Sequence, residues 1–235
     1  MSKYKIIAFD LDDTLVDDNE ARKYAISKVA ESLGIDYTEK IGNDYILFDN
    51  QFWHKWENGE IIIPSDVEDW VTYIRSKRFQ LFFPQKELDM NAAIQSYHLY
   101  SKSLEDCIVP IEGAKETLEI LKKNYKLVIA TNGIKRLATH KLNKLQAESY
   151  ISDIVCSEEI GKNKPDALFF EELVKQCQCT KEEILLVGDS LKSDILGGMN
   201  YGMDTCWFNR NYLPLPQEYT PTMEINNLLE LTRKL

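Results

Sequence analysis

The stretch Tyr4-Lys5-Ile6-Ile7-Ala8-Phe9-Asp10-Leu11-Asp12-Asp13-Thr14 decides the fold. Its first half, Tyr4 to Phe9, is short, apolar and compatible with a strand, and it runs straight into a cluster of aspartates. That is the pattern of a buried parallel strand whose C-terminal end carries chemistry. Two aspartates at i and i+2 both face the crevice if the strand geometry persists, and two like charges that close are costly unless a cation neutralises them.

Working outward, the chain changes character on either side of about residue 107. From about Asp17 to Asp106 it is rich in aromatics and shows little strand alternation. Ala21, Tyr24, Ala25, Val29 and Leu33 recur at helical spacing, and Gly34 follows as a C-terminal stop. A second amphipathic stretch begins near Pro64, where Ser65 and Glu68 have the spacing of a capping box. A third runs from about Leu88 to Leu104. This block, residues 17–106, reads as an inserted α-helical cap domain. Residues 1–16 and 107–235 read as the catalytic core.

From Val109 onward helices and strands alternate. Helices are expected over about 113–123, after Thr131-Asn132-Gly133 to about Gln146, over 166–178 with Asp166 as cap, and over 191–200. Strands are expected over 126–130, 154–156, 184–187 and 205–208. Thr180 to Glu183 has capping-box spacing, and 213–221 reads as a surface loop before a final helix. The alternation predicts an α/β fold: a Rossmann-like, doubly wound parallel sheet with helices on both faces.

In such a sheet the strand ends converge on one crevice. Three polar clusters fall there: Asp10 to Thr14, Thr131-Asn132-Gly133, and Gly188-Asp189-Ser190 with Asp194. A fourth, Gly161-Lys162-Asn163-Lys164-Pro165, precedes a helix. Asp189 brings a third carboxylate to Asp10 and Asp12, and Mg²⁺ is the natural partner of an all-oxygen carboxylate site. A carboxylate can also attack phosphorus and form an aspartyl-phosphate. The charge that develops then needs a metal ion, a lysine and short hydroxyl or amide donors.

Together, D-x-D-x-T after the first strand, a strand-end threonine, Lys-Pro and G-D-x-x-x-x-D resemble the haloacid dehalogenase superfamily, across the whole chain and in order. The position of the insertion resembles the subfamily with a helical cap. The resemblance implies that Asp10 is the nucleophile and Asp12 the general acid–base. It implies that Thr131 holds a phosphoryl oxygen and that Lys164 pairs with nucleophile and phosphate. Mg²⁺ in the family is held by the Asp10 carboxylate, the Asp12 carbonyl and Asp189, with Asp194 supporting the metal's water shell or the lysine. Asn132 and Gly133 either build a turn or offer backbone N–H groups to a phosphate.

Asp12 separates two chemistries. Carbon–halogen hydrolysis needs no acid for an oxygen leaving group, whereas phosphate ester cleavage benefits from one. The segments Phe52-Trp53-x-x-Trp56-Glu57-x-Gly59, 202–209 and Pro221-Thr222-x-Glu224-Ile225 are similar to the branch acting on pyrimidine nucleoside monophosphates. A sugar-phosphate or phosphoglycolate phosphatase, a phosphomutase, and a catalytically silent binding protein on the same scaffold are the alternatives.

Composition narrows the partners. The net charge is −10, from 28 basic and 38 acidic residues, and no long basic run occurs, so a nucleic-acid polymer is repelled. A small phosphorylated metabolite needs only a few local cations. There is no apolar run long enough to span a membrane, and the N-terminal apolar stretch, Ile6 to Phe9, is too short for a secretory signal. Five scattered cysteines fit thiols in a reducing cytoplasm better than a disulfide framework. A monomer or homodimer is expected. Asp13 and Asp17 read as turn or solvated residues, and His54, His98 and His140 as surface or packing residues. Lys162 is the competitor of Lys164 for the phosphate.

Overall fold

The computed structural model describes residues 3–57 and 59–235. Met1, Ser2 and Asn58, which fall within the spans assigned above, lie outside the described residues. The chain divides into two compact units, Met1–Asp17 with Ile108–Leu235, and Asp18–Cys107.

In chain order, β1 (Ile6–Phe9) is followed, in the second unit, by the α-helices α1 (Asp18–Ser32), α2 (Glu39–Glu57), α3 (Trp70–Phe82) and α4 (Met90–Asp106). The first unit resumes with α5 (Ala114–Leu121), β2 (Lys126–Thr131), α6 (Lys135–Lys144), β3 (Asp153–Cys156), α7 (Ser157–Ile160) and α8 (Ala167–Cys177). It closes with β4 (Ile184–Gly188), α9 (Gly197–Tyr201), β5 (Asp204–Phe208), β6 (Met223–Ile225) and α10 (Leu231–Lys234).

The strands form a parallel sheet in the order β3-β2-β1-β4-β5-β6. Its strands sort their side chains by the two-residue period of a pleated strand. Ile7, Phe9, Leu127, Ile129, Leu185 and Val187 pack on one face with Leu118, Leu142 and Leu231 from α5, α6 and α10. Ile6, Ala8, Val128, Ala130, Ile184 and Leu186 pack on the other with Phe169, Phe170 and Leu173 from α8. Both faces are therefore covered, which is why these strands read as unbroken apolar runs. The result is the doubly wound α/β fold. Chain order reverses on either side of β1, so the crevice lies beyond the C-terminal end of β1 and its neighbours.

The helical unit has its own core. Ala25, Ile26, Val29 and Ala30 of α1 pack with Tyr45, Phe79, Phe83 and Tyr100. Tyr45 meets Phe82 edge-on with ring centroids 5.0 Å apart, a favoured aromatic geometry.

Several local features differ from the sequence expectation. Helix α2, which the sequence reading does not assign, occupies Glu39–Glu57. Its buried positions Gly42, Tyr45, Asp49 and Phe52 do carry a helical period, but one of them is a carboxylate and another a glycine, which breaks the apolar signature. Ser65 and Glu68 form no helix cap. Helix α3 starts at Trp70, and Asp69 caps it by accepting from the Thr72 amide at 3.0 Å. Residues 191–200 are not one α-helix: Leu191–Leu196 is wound as a π-turn, and α9 follows. Strand β6 also escapes the sequence reading, because three residues with one buried side chain, Ile225, carry too little alternation. The Asp166 cap and the Thr180–Glu183 capping box are present.

Candidate active site

The crevice gathers residues from three strand ends, those of β1, β2 and β4, and from the loop before α8. Asp10 leaves β1 with its amide donating to the Val187 carbonyl at 2.8 Å, so the β1–β4 ladder fixes where its carboxylate starts. Thr131 is the last residue of β2, and Asp189 follows β4 directly. Asp10, Asp12, Thr131, Asn132, Lys164, Asp189 and Asp194 all line one cavity of about 280 Å³.

Lys164 is the centre of the network. Its Nζ donates to Asp10 Oδ1 at 2.7 Å, to Asp194 Oδ1 at 2.6 Å and to the Ala130 carbonyl at 2.6 Å. These three acceptors account for all three ammonium protons. The Lys164 side chain is 1% exposed. Burial alone would push its pKa down, but the two carboxylates override burial and hold it above the ordinary lysine value. Asn132 fixes the backbone that carries this lysine: its Oδ1 accepts from the Lys164 amide at 2.7 Å, and its Nδ2 donates to the Lys164 carbonyl at 3.0 Å. Lys162 sits at the surface, within 3.5 Å of Asp166.

Asp194 reaches the site through the π-turn. Ser190 caps the turn, its amide donates to Asp194 Oδ2 at 3.1 Å, and the amides of Asp194 and Ile195 both return to the Ser190 carbonyl. Gly188 makes room for it: a Cβ there would lie 2.3 Å from Asp194 Oδ2. That is the physical reason for glycine before Asp189. Thr14 braces Asp189 from β1's side, its hydroxyl accepting from the Asp189 amide at 3.1 Å and donating to Asp189 Oδ1 at 3.2 Å. Trp207 of β5 donates its indole N–H to the Asp189 carbonyl at 2.9 Å.

Ligand oxygens of Asp10, Asp189 and Asp194 lie within 4.8 Å of one another. Three carboxylates face the single charge of Lys164, so negative charge is in excess. The excess is visible in the titration of the site. Burial, opposed in part by Lys164, raises the Asp10 carboxyl to about 6. Burial and the neighbouring charges of Asp10 and Asp194 raise Asp189 to about 8. An all-oxygen donor set with unbalanced negative charge fits a hard divalent cation such as Mg²⁺.

Two cations near the site escape the sequence reading. Lys141 of α6, buried, ion-pairs with the half-exposed carboxylate of Asp12. Its signal is a lysine at a core-facing position, among Ala138, Leu142 and Leu145. Arg210, just past β5, pairs with Asp13 at 2.9 Å and Asp17 at 2.7 Å, so Asp13 sits in the expected turn but neither aspartate is freely solvated. No local pattern marks Arg210.

Residues 7–208 match the family profile of haloacid dehalogenase-like hydrolases, and the chain belongs to that family. Among its phosphatases, it is a phosphomonoester hydrolase. The chain is 31% identical to the pyrimidine 5'-nucleotidase PynA of Streptococcus pneumoniae, over 97% of this chain and 93% of that protein. It is 26% identical to the pyrimidine 5'-nucleotidase YjjG of Escherichia coli, over 99% and 98%. The magnesium-bound crystal structure of the HAD-hydrolase YfnB from Bacillus subtilis superposes with a TM-score of 0.86 at 29% identity, covering 100% of this chain and 99% of that one.

Proposed function

We propose that the protein is a Mg²⁺-dependent phosphatase of pyrimidine nucleoside 5'-monophosphates, acting through an aspartyl-phosphate on Asp10. The observation that carries the chemistry is the buried contact of Lys164 with Asp10 at 2.7 Å, beside the unbalanced carboxylate of Asp189. The nucleotide assignment is supported by the names of the two bacterial relatives.

Asp10 attacks phosphorus in line, and the bond from phosphorus to the ester oxygen breaks. Asp12 gives its proton to the departing alkoxide, which leaves as the nucleoside hydroxyl. A water then attacks the same phosphorus while Asp12 takes its proton, and Asp10 departs as a carboxylate with inorganic phosphate released. Lys164, oriented by Asn132, neutralises charge on Asp10 and on the phosphoryl oxygens, and the Thr131 hydroxyl donates to one of those oxygens. Asp10, the Asp12 carbonyl and Asp189 would hold Mg²⁺, which when bound supplies positive charge to the phosphoryl group.

The helical unit, Asp18–Cys107, acts as the cap that selects the leaving group. It contains a cavity of about 380 Å³ lined by Asn50, Trp53, Arg75, Arg78, Tyr97 and Tyr100 among others. Trp53 lies over the Arg78 guanidinium at 5.1 Å, and Arg75 donates to the Tyr97 hydroxyl at 3.0 Å. Aromatic faces beside guanidinium donors suit a planar base bearing carbonyl oxygens. No helix among the described residues is long and apolar enough to cross a membrane. The free thiols of Cys107, Cys156, Cys177, Cys179 and Cys206 suit the reducing cytoplasm, where we place the protein.

The test is phosphate release from a panel of nucleoside monophosphates beside sugar phosphates and phosphoglycolate, with Mg²⁺ and with EDTA. Pyrimidine monophosphates are expected to have the highest kcat/KM. A preference for sugar phosphates would refute the nucleotide assignment, and full turnover in EDTA would refute the metal. An Asp10→Asn variant that kept its activity would refute the nucleophile.

A further inference from the structure

The segment that carries Asp12 is held in an uncommon shape. Asp13 has φ of +60°, in the left-handed region that a residue with a Cβ seldom occupies. Because Asp12 and Asp13 share a peptide plane, the φ of Asp13 helps fix where the Asp12 carbonyl points and how its carboxylate is presented. Backbone bonds trap part of the loop: the Asp13 amide donates to the Val16 carbonyl at 2.7 Å, and the Val16 amide to Leu11 at 3.0 Å. Neither bond holds the Asp13 side chain.

Arg210 does. One guanidinium nitrogen donates to Asp13 Oδ1 at 2.9 Å and the other to Asp17 Oδ2 at 2.7 Å. The three side chains are only 19–25% exposed, so these pairs are partly shielded from water. Arg210 itself springs from a tied loop. The preceding residue, Asn209, is buried. Its amide donates to Ile225 at 2.8 Å, its Oδ1 accepts from the Leu213 amide at 2.8 Å, and its Nδ2 donates to Glu224 at 2.7 Å. The two aspartates thus bracket the loop after Asp12, and one fork on a fixed support grips both.

We propose that Arg210 is a positioning residue for the phosphatase reaction: by clamping Asp13 and Asp17 it holds the Asp12–Asp13 peptide in the conformation that presents Asp12 to the leaving group. The inference rests on the reading of Asp12 as general acid.

The full chain with Mg²⁺ is assayed on a nucleoside monophosphate, whose alkoxide needs a proton to leave, and on p-nitrophenyl phosphate, whose phenolate does not. Arg210→Ala is expected to lower kcat/KM, which reads the step that releases the leaving group and not the later attack of water, about tenfold more on the nucleotide than on p-nitrophenyl phosphate. Arg210→Lys keeps a charge without the fork and recovers part of the loss. In the double variant Arg210→Ala/Asp13→Gly the ratio is expected to return, because glycine adopts the left-handed conformation unaided. A merely structural ion pair is not rescued by that glycine. Equal losses of kcat/KM on both substrates in Arg210→Ala, or a double variant no better than Arg210→Ala, would overturn the proposal. Asp12→Asn is the control on the acid assignment. If its kcat/KM falls equally on both substrates, that assignment fails, and the glycine rescue of nucleotide turnover alone then judges the clamp.

Discussion

Lys164 donates to Asp194 at 2.6 Å, with side chains only 1% and 2% exposed. A pair so far from water is costly to break from one side, because the surviving charge stays buried. Asp194→Ala is therefore expected to destabilise the protein by about 3 kcal/mol, read from denaturant unfolding. Asp194→Asn removes the charge and keeps one acceptor oxygen, enough for the Ser190 amide or for Lys164 but not for both, since the two use different carboxylate oxygens; it should lose less stability than Asp194→Ala. Its turnover should still fall, since Lys164 then leans toward Asp10 alone.

Gly188 is set against the same side chain. A Cβ at this position would sit 2.3–2.7 Å from three Asp194 atoms. Gly188→Ala is expected to cost about 1–3 kcal/mol, the usual cost of overpacking, and to lower kcat by displacing Asp194. Unchanged stability and turnover in Gly188→Ala would contradict this account of the glycine.

The two raised carboxyls tie metal binding to pH. Asp10 and Asp189 titrate at about 6 and about 8 in the folded, metal-free protein, above the value near 3.8 from which they are shifted. The folded state therefore binds more protons than the unfolded state across that window. Stability from these groups is fully present below about pH 4 and is lost as pH rises through 6 and 8. A divalent cation replaces those protons. The rise in Tm on adding Mg²⁺ should thus be small at pH 5.5 and grow toward pH 8.5. A Mg²⁺-induced rise independent of pH would count against these carboxylates as ligands.

The helical unit contains a second buried charge cluster. Asp49 accepts from Arg22 and from Arg78, each at 2.7 Å, and its side chain is 5% exposed. Asp49→Ala leaves two guanidiniums without their shared carboxylate and should cost about 3–5 kcal/mol. Thermal or denaturant melting of the full chain reads the loss. Arg78 also packs against Trp53 and Tyr100, so its replacement should weaken the unit even where charge is conserved.

Lys141 offers a test of the acid–base residue that does not involve Arg210. Its ammonium holds the Asp12 carboxylate. Lys141→Met preserves the packing of α6 and removes the partner, and turnover of a nucleoside monophosphate is expected to fall about tenfold or more. Lys141→Arg should retain more activity than Lys141→Met.

What the sequence alone determined is local. An apolar run ending in Asp10-Leu11-Asp12 specifies a buried strand with carboxylates at its tip. The rhythm from Val109 onward specifies a parallel sheet, because periods of 2 and 3.6 are written in consecutive residues. Thr131, Asp189 and Asp194 were placed behind their strands for the same reason, whereas Lys164 was marked by the proline that follows it and by the resemblance to the haloacid dehalogenase superfamily. Helix α2 was not, since its buried face includes Asp49 and Gly42 in place of apolar side chains. Only the tertiary structure decided which charges meet. Lys141 pairs with Asp12 across 129 positions and Arg210 with Asp13 across 197. Asn132 turns its amide to the backbone of Lys164, and a π-turn delivers Asp194. Such contacts leave no periodic trace, because an ion pair depends on where two distant backbones come to rest and not on the residues beside each partner.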